Sequence, residues 1–489
     1  GNLVLNSGFN SIDQSGAITI GTGSLTLTGG AVTLKQDNNQ FENLTMNAGL
    51  VQIVEANGVQ FVGDSSASSL ILTLNGGSLT DSLTSSLIVS GNTALIVDKG
   101  AAILLDASND FGSSSGTLSI AAGGSGNVVI NDDNSLTLAS GNVAQNLTIT
   151  TGGKLDQVAT DEITVTGTTS LDVTSGTDSD VSLLGANNDF GGAVTVLATD
   201  TESDVTIMDK NDLLIGSFNV GKDVTLTSSA GSINDASDDK SVDFTAGGLI
   251  TLTAQDEIGG SVIAGMTEDK LGSIEVADGS QVKISSLIAG GIGITSLGSI
   301  TLEKVDTKDG AITVSADGLI TATDVLSQGT TADAVTLSTT KDGVVATKVV
   351  SADAVTISAD AGDIIATSVT AADQVAVTTS LGDVTVGSIT ATGGTLGITA
   401  TTGSINDASN DNDVDLTAGG LITLTAEDEI GESADPTFPD NADKEMDWAD
   451  GSSVNASRTI VGAIRLDVLG DLTVNSVVSK DGSVIVNAI

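Results

Sequence analysis

Between Ile292 and Ile398 the chain repeats a short beat: an apolar residue, a small or polar one, then another apolar one. Ile292-Gly-Ile294, Ile312-Thr-Val314, Val335-Thr-Leu337, Val355-Thr-Ile357, Val375-Ala-Val377 and Leu396-Gly-Ile398 follow one another at steps of 20, 23, 20, 20 and 21 in the numbering. Shorter alternations, such as Val344-Val-Ala346 and Val384-Thr-Val386, sit between them. Alternation over three to five residues is the mark of a half-buried strand, and the branched side chains of Val, Ile and Thr pack well on a pleated surface. Asp-Gly, Gly-Asp, Ala-Asp and Ser-Gly pairs punctuate the strands and supply turns, by adopting positive φ or by bonding their own backbone. Helical spacing is not sustained. Three short strands and three turns per rung of about 20 residues predict an all-β parallel β-helix, that is, a β-solenoid.

A longer period overlies the rungs. Ser108-Asn-Asp-Phe-Gly112 returns as Asn187-Asn-Asp-Phe-Gly191, and Asn146-Leu-Thr-Ile149 returns as Asp223-Val-Thr-Leu226. Both intervals are close to four rungs. The text of Gly231 to Ser261 also reappears as Gly403 to Ser433, with six of thirty-one positions changed. The pattern therefore predicts one continuous β-helix over residues 1–489, about 24 rungs by division, weakest over roughly the first 100 residues. One stretch breaks the beat. Glu432 to Asp450 holds both prolines, the only tryptophan and many carboxylates. Proline cannot donate to a strand ladder, so 432–450 reads as an acidic loop insertion, its counterpart at Gly260 to Lys270 as a much shorter one. Asp435, Phe438, Asp440, Asp443 and Trp448 are its candidate partner-binding residues.

Composition narrows the function. Sixty-three acids against 16 bases give a net charge of −47, a field that repels nucleic acid and anionic membrane. No apolar run is long enough for a membrane-spanning helix. Without cysteine there is no disulfide framework, and without histidine no nucleophile–histidine catalysis and no common zinc site. The absence of an initial Met and the strand-like last residues suggest a processed product or a piece of something longer.

Asn-Asp-Phe-Gly followed by Ala193-Val-Thr-Val196, Asp212-Leu-Leu-Ile-Gly216 and Gly221-Lys-Asp-Val-Thr-Leu226 resembles the repeats of filamentous-haemagglutinin-like bacterial surface proteins and autotransporter passengers. The likeness covers roughly residues 100–430. It implies a right-handed parallel β-helix, export to the cell surface or medium, and an adhesive or scaffolding role. The secretion domain of that family, with its Asn-Pro motifs, has no counterpart in the sequence, and no Arg-Gly-Asp triplet occurs.

Candidate chemistry reduces to a few features. Asp411, Asp413 and Asp415 alternate, so in a strand they would share one face about 7 Å apart, and hard carboxylate oxygens suit calcium. Calcium is thus the one cofactor the residues suggest. Thr-x-Thr pairs such as Thr251/Thr253 and Thr423/Thr425 skip rungs and fit ordinary strand propensity, not an ice-binding array. Paired carboxylates for sugar hydrolysis would arise by chance on so acidic a solenoid, and aromatic platforms for sugar are scarce. The expectation is a non-catalytic extracellular structural or adhesive protein, part of a larger surface protein, filament or surface layer. Its expected partners are copies of itself, through end rungs or side faces, or a surface receptor or glycan. The rival reading is a polysaccharide-binding or polysaccharide-cleaving β-helix.

Overall fold

The structure is a computed structural model, and it describes every residue except 99–100, 113–114, 125, 175–178, 238, 261–271, 330–332, 409–412, 432–445, 461–462, 469 and 489. Among the described residues there are 49 strands, and the strand pairings are parallel. No helix among them is long and apolar enough to cross a membrane. The fold is a parallel β-solenoid of about 21 turns with about 21 residues in each. Fewer turns fit than division by the shortest step suggests, because some rungs carry long turns. Ile422, for example, pairs with Val454, half as far again along the chain as an ordinary rung reaches. Two compact units divide the chain: Gly1–Ser237 with Thr245–Gly248, and Asp238–Phe244 with Leu249–Ile489.

In the second unit the beat of the sequence becomes a set of columns. Ile292, Ile312, Val335, Val355, Val375, Leu396, Ile422 and Val454 pair in register, each with the next. All are buried. A second column runs Ile300, Ile320, Val344, Ile364, Val384, Ile405. A third runs Val305, Val325, Val349, Val369, Ile389, Leu416, Trp448, Val468. Burying each such side chain stabilises the unit by roughly 1.5–3 kcal/mol relative to exposure. Register is fixed because a slip of one residue would turn every apolar side chain outward.

The outward positions also line up. Thr295, Ser315, Ser338, Ser358, Thr378, Thr399, Thr425 and Ser457 form an unbroken hydroxyl column over eight rungs. Its continuity is hard to see in the sequence because threonine and serine alternate irregularly in it.

The first unit is built on the same plan. Val59, Leu79, Ile103, Val128, Leu147, Thr169, Val194 and Ile215 form one of its inner columns. The strands Thr19–Leu34 and Gln40–Glu55 each run 16 residues, so the solenoid extends into the stretch where the repeat text is weakest. Polar side chains are buried inside it as well. Asn39, Asn109, Asn188, Glu55, Asp132 and Asp209 are all at most 1% exposed.

Candidate functional site

Those buried polar residues form one recurring corner. Asn39, Asn109 and Asn188 each precede a buried phenylalanine by two residues: Phe41, Phe111 and Phe190. The asparagine Oδ1 accepts a backbone N–H from the previous rung, from Ile18, Leu87 and Ile163 respectively, at 2.9 Å in all three corners. Each Nδ2 donates to backbone carbonyls, such as Val54 at 2.9 Å, Ala107 at 3.0 Å and Leu183 at 3.4 Å. It also donates to a polar side chain one rung back: Gln14 at 3.1 Å, Asp81 at 2.9 Å and Gln157 at 2.8 Å. A buried polar group without partners would destabilise the core. These three amides are satisfied at both ends.

The phenylalanine side of the corner is closed from the next rung. Phe41 N–H donates to Glu55 Oε1 at 3.1 Å, Phe111 N–H to Asp132 Oδ2 at 2.6 Å, and Phe190 N–H to Asp209 Oδ2 at 2.7 Å. The other carboxylate oxygen accepts the N–H two residues on, from Asn57, Asn134 (2.9 Å) and Asn211 (2.8 Å). Burial pushes the Asp132 and Asp209 carboxyls up to about 6 and raises Glu55 as well, against the lowering effect of those N–H donors. Asp81 is raised too, again chiefly by burial. The sequence signal for these acids is acid-x-Asn: Glu55-Ala-Asn57, Asp132-Asp-Asn134 and Asp209-Lys-Asn211. Sequence reasoning misses it because each acid works one rung away from the Asn-x-Phe motif it completes.

These corners coincide with a family boundary. Residues 1–46, 48–121, 125–197 and 202–264, more than half of the chain, match the family described as repeats of unknown function, DUF5649. The chain belongs to the DUF5649 family. Comparison with curated proteins and with solved structures gave no match. Each of the first three DUF5649 segments ends shortly after its Asn-x-Phe, and the acid that closes that corner lies in the segment that follows. The corner therefore fastens one DUF5649 repeat to its successor.

The calcium candidates fall differently from the sequence expectation. Asp411 lies outside the described residues. Asp413 is exposed while Asp415 is 2% exposed, and the strand begins only at Leu416, so Asp413 and Asp415 do not present one strand face. Asp415 instead pairs with Asp447: Asp447 N–H donates to Asp415 Oδ2 at 2.9 Å, and Asp415 N–H to the Asp447 carbonyl at 3.0 Å. The same exchange occurs in the earlier copy, where Glu275 N–H donates to Asp243 Oδ2 at 2.9 Å and Asp243 N–H to the Glu275 carbonyl at 2.9 Å.

The loop candidates need the larger correction. Asp435, Phe438, Asp440 and Asp443 lie outside the described residues. Trp448 is no loop residue: it sits in the strand Met446–Trp448, fully buried, stacked on Leu416. The length comparison also fails. Strands Ile274–Val276, Ser280–Ser286, Ile292–Ser296 and Ile312–Ala316 recur as Met446–Trp448, Ser452–Arg458, Ile464–Val468 and Val484–Ala488, at the offset that separates Gly231 from Gly403. The stretches before them are thus equally long in both copies. Even the irregularities repeat: a register shift after Val282 and after Val454, and a positive φ at Gly259 (58°) and Gly431 (83°). The duplication visible over thirty-one positions extends through strands whose letters have drifted apart.

A cleft of about 320 Å³ opens in the second unit. Glycines and the hydroxyls of Ser273, Thr295, Thr313 and Ser315 line it, beside the carboxylate of Glu257. Ser273 Oγ donates to Glu275 Oε1 at 2.7 Å and lies 2.9 Å from Thr295 Oγ1.

Proposed function

We propose that this protein is a non-catalytic structural or adhesive element of a bacterial cell surface, part of a larger surface protein, filament or surface layer. The observation that carries the reading is the unbroken register of the second unit. Over eight successive rungs the same inward positions hold aliphatics and the same outward position holds a hydroxyl. A sequence devoted so uniformly to stacking serves extension and repetition. Membership of a repeat family, the resemblance to surface-protein repeats and a strongly acidic composition support it further.

Two measurements test the proposal together. Immunogold labelling of producing cells should decorate the outer surface or released material, and purified protein incubated with neutral and acidic polysaccharides should release no new chain ends. Label confined to the cell interior would overturn the surface role. Sustained release of oligosaccharide would replace it with the polysaccharide-cleaving reading.

A further inference from the structure

We propose that Asp132 and Asp209 are proton-linked staples between successive repeats, holding the first unit more firmly in mildly acidic surroundings than at neutral pH. The geometry is the same twice. A carboxylate at the end of an inner strand, 1% and 0% exposed, accepts the phenylalanine N–H of the preceding repeat and the N–H two residues on. Water is excluded, so the charged form forfeits hydration that two neutral N–H donors replace only in part. Each oxygen keeps a lone pair after protonation, so the N–H bonds can survive the uptake of a proton.

The charges around the two groups are few and named. Asp132 faces Asp110 on the preceding strand and Asp133 beside it, both of which disfavour its negative charge. The strand that follows, Leu147–Thr151, carries no charged residue. Asp209 faces Asp189 on the preceding strand and Lys210 beside it. That lysine is itself engaged by Asp189 at 2.9 Å and by Glu162 at 3.9 Å. The strand after Asp209, Val224–Ser228, is again uncharged.

The direction of the effect follows from linkage. Both carboxyls titrate near 6 in the folded protein, against an ordinary value of 3.8. Between those values the folded state binds more protons than the unfolded one, so stability falls as pH rises through that window and is regained on acidification. Glu55, Asp81 and Asp110 are raised in the same direction, each chiefly by burial.

The experiment is urea unfolding of the full chain at pH 7.5 and 5.0, with proton release on unfolding at pH 5.5 recorded by a pH indicator. The midpoint should rise at pH 5.0, and unfolding should release protons. The double variant D132N/D209N should lose most of the pH shift and most of the released protons, while the exposed control D317N keeps both. A wild-type midpoint that is flat or lower at pH 5.0 would overturn the proposal without recourse to any variant. So would a double variant that releases as many protons as the wild type.

Discussion

The Asn-x-Phe corners of the first unit and the inward hydroxyl corners of the second meet the same need with different chemistry. In the first, amides and carboxylates are buried and tie the turns to neighbouring rungs. In the second, small hydroxyls do it: Thr307, Ser327, Ser351 and Thr379 point inward and donate to the carbonyls of Gly290 (2.9 Å), Gly310 (3.0 Å), Asp333 (2.8 Å) and Gly362 (2.8 Å), each just under one rung back. The hydroxyl corner is compact, occurs on four rungs between Ile292 and Ala391 and carries no titratable group of its own. The amide–carboxylate corner spans more chain, appears once in each of the first three family segments and couples folding to protons.

The comparison can be broken at its strongest points first. Trp448 stands in an aliphatic column of the second unit, so W448A should lower stability by about 3–5 kcal/mol in urea unfolding; a loss near zero would return that residue to a loop. W448F should cost far less, since the indole Nε1 has no hydrogen-bond partner among the described residues. In the first unit, N188A removes the acceptor of Ile163 N–H and the partner of Gln157 inside the core. Each stranded buried group is worth about 1–3 kcal/mol, and the same unfolding measurement should show a loss of roughly that size or more. Next comes pH: moving from 7.5 to 5.0 should add on the order of 1 kcal/mol for each of Asp132 and Asp209. The hydroxyl corner is weaker singly, and T307V should cost about 1 kcal/mol with no change in pH dependence. Last, breaking the exposed Lys341–Asp317 ion pair (2.8 Å) with K341A should leave the midpoint where it was.

Much of the fold is legible because a solenoid writes its period into the text. The alternation at Ile292 to Ile398 names the inner columns, and Gly-Asp punctuation names the turns. Trp448 escapes the reading because two prolines and a run of acids precede it, and local composition outweighs the short Met446-Asp-Trp448 alternation that places it in a strand. The spacing holds the better clue, since the offset between the two copies persists from strand to strand after the letters cease to match. The corner of the first unit is half legible. Asn-Asp-Phe-Gly stands out by repetition, but its closing acid varies between Glu and Asp and sits one rung onward. No local motif spans both. Asp413 and Asp415 illustrate the remaining limit: alternation fixes a face only where a strand exists, and there the strand starts one residue too late.

The staple also bears on where this chain can be divided. Phe111 belongs to the family segment that ends at residue 121, yet its N–H is received by Asp132 in the segment that begins at 125. A fragment trimmed at the segment boundary would carry a donor in its last rung with nothing to receive it, although every residue of the sequence repeat is present. The unit that evolution copies and the unit that can stand alone are offset by one strand. Fragments designed for expression, fusion or permutation of this chain should accordingly run past the acid-x-Asn triplet before they stop.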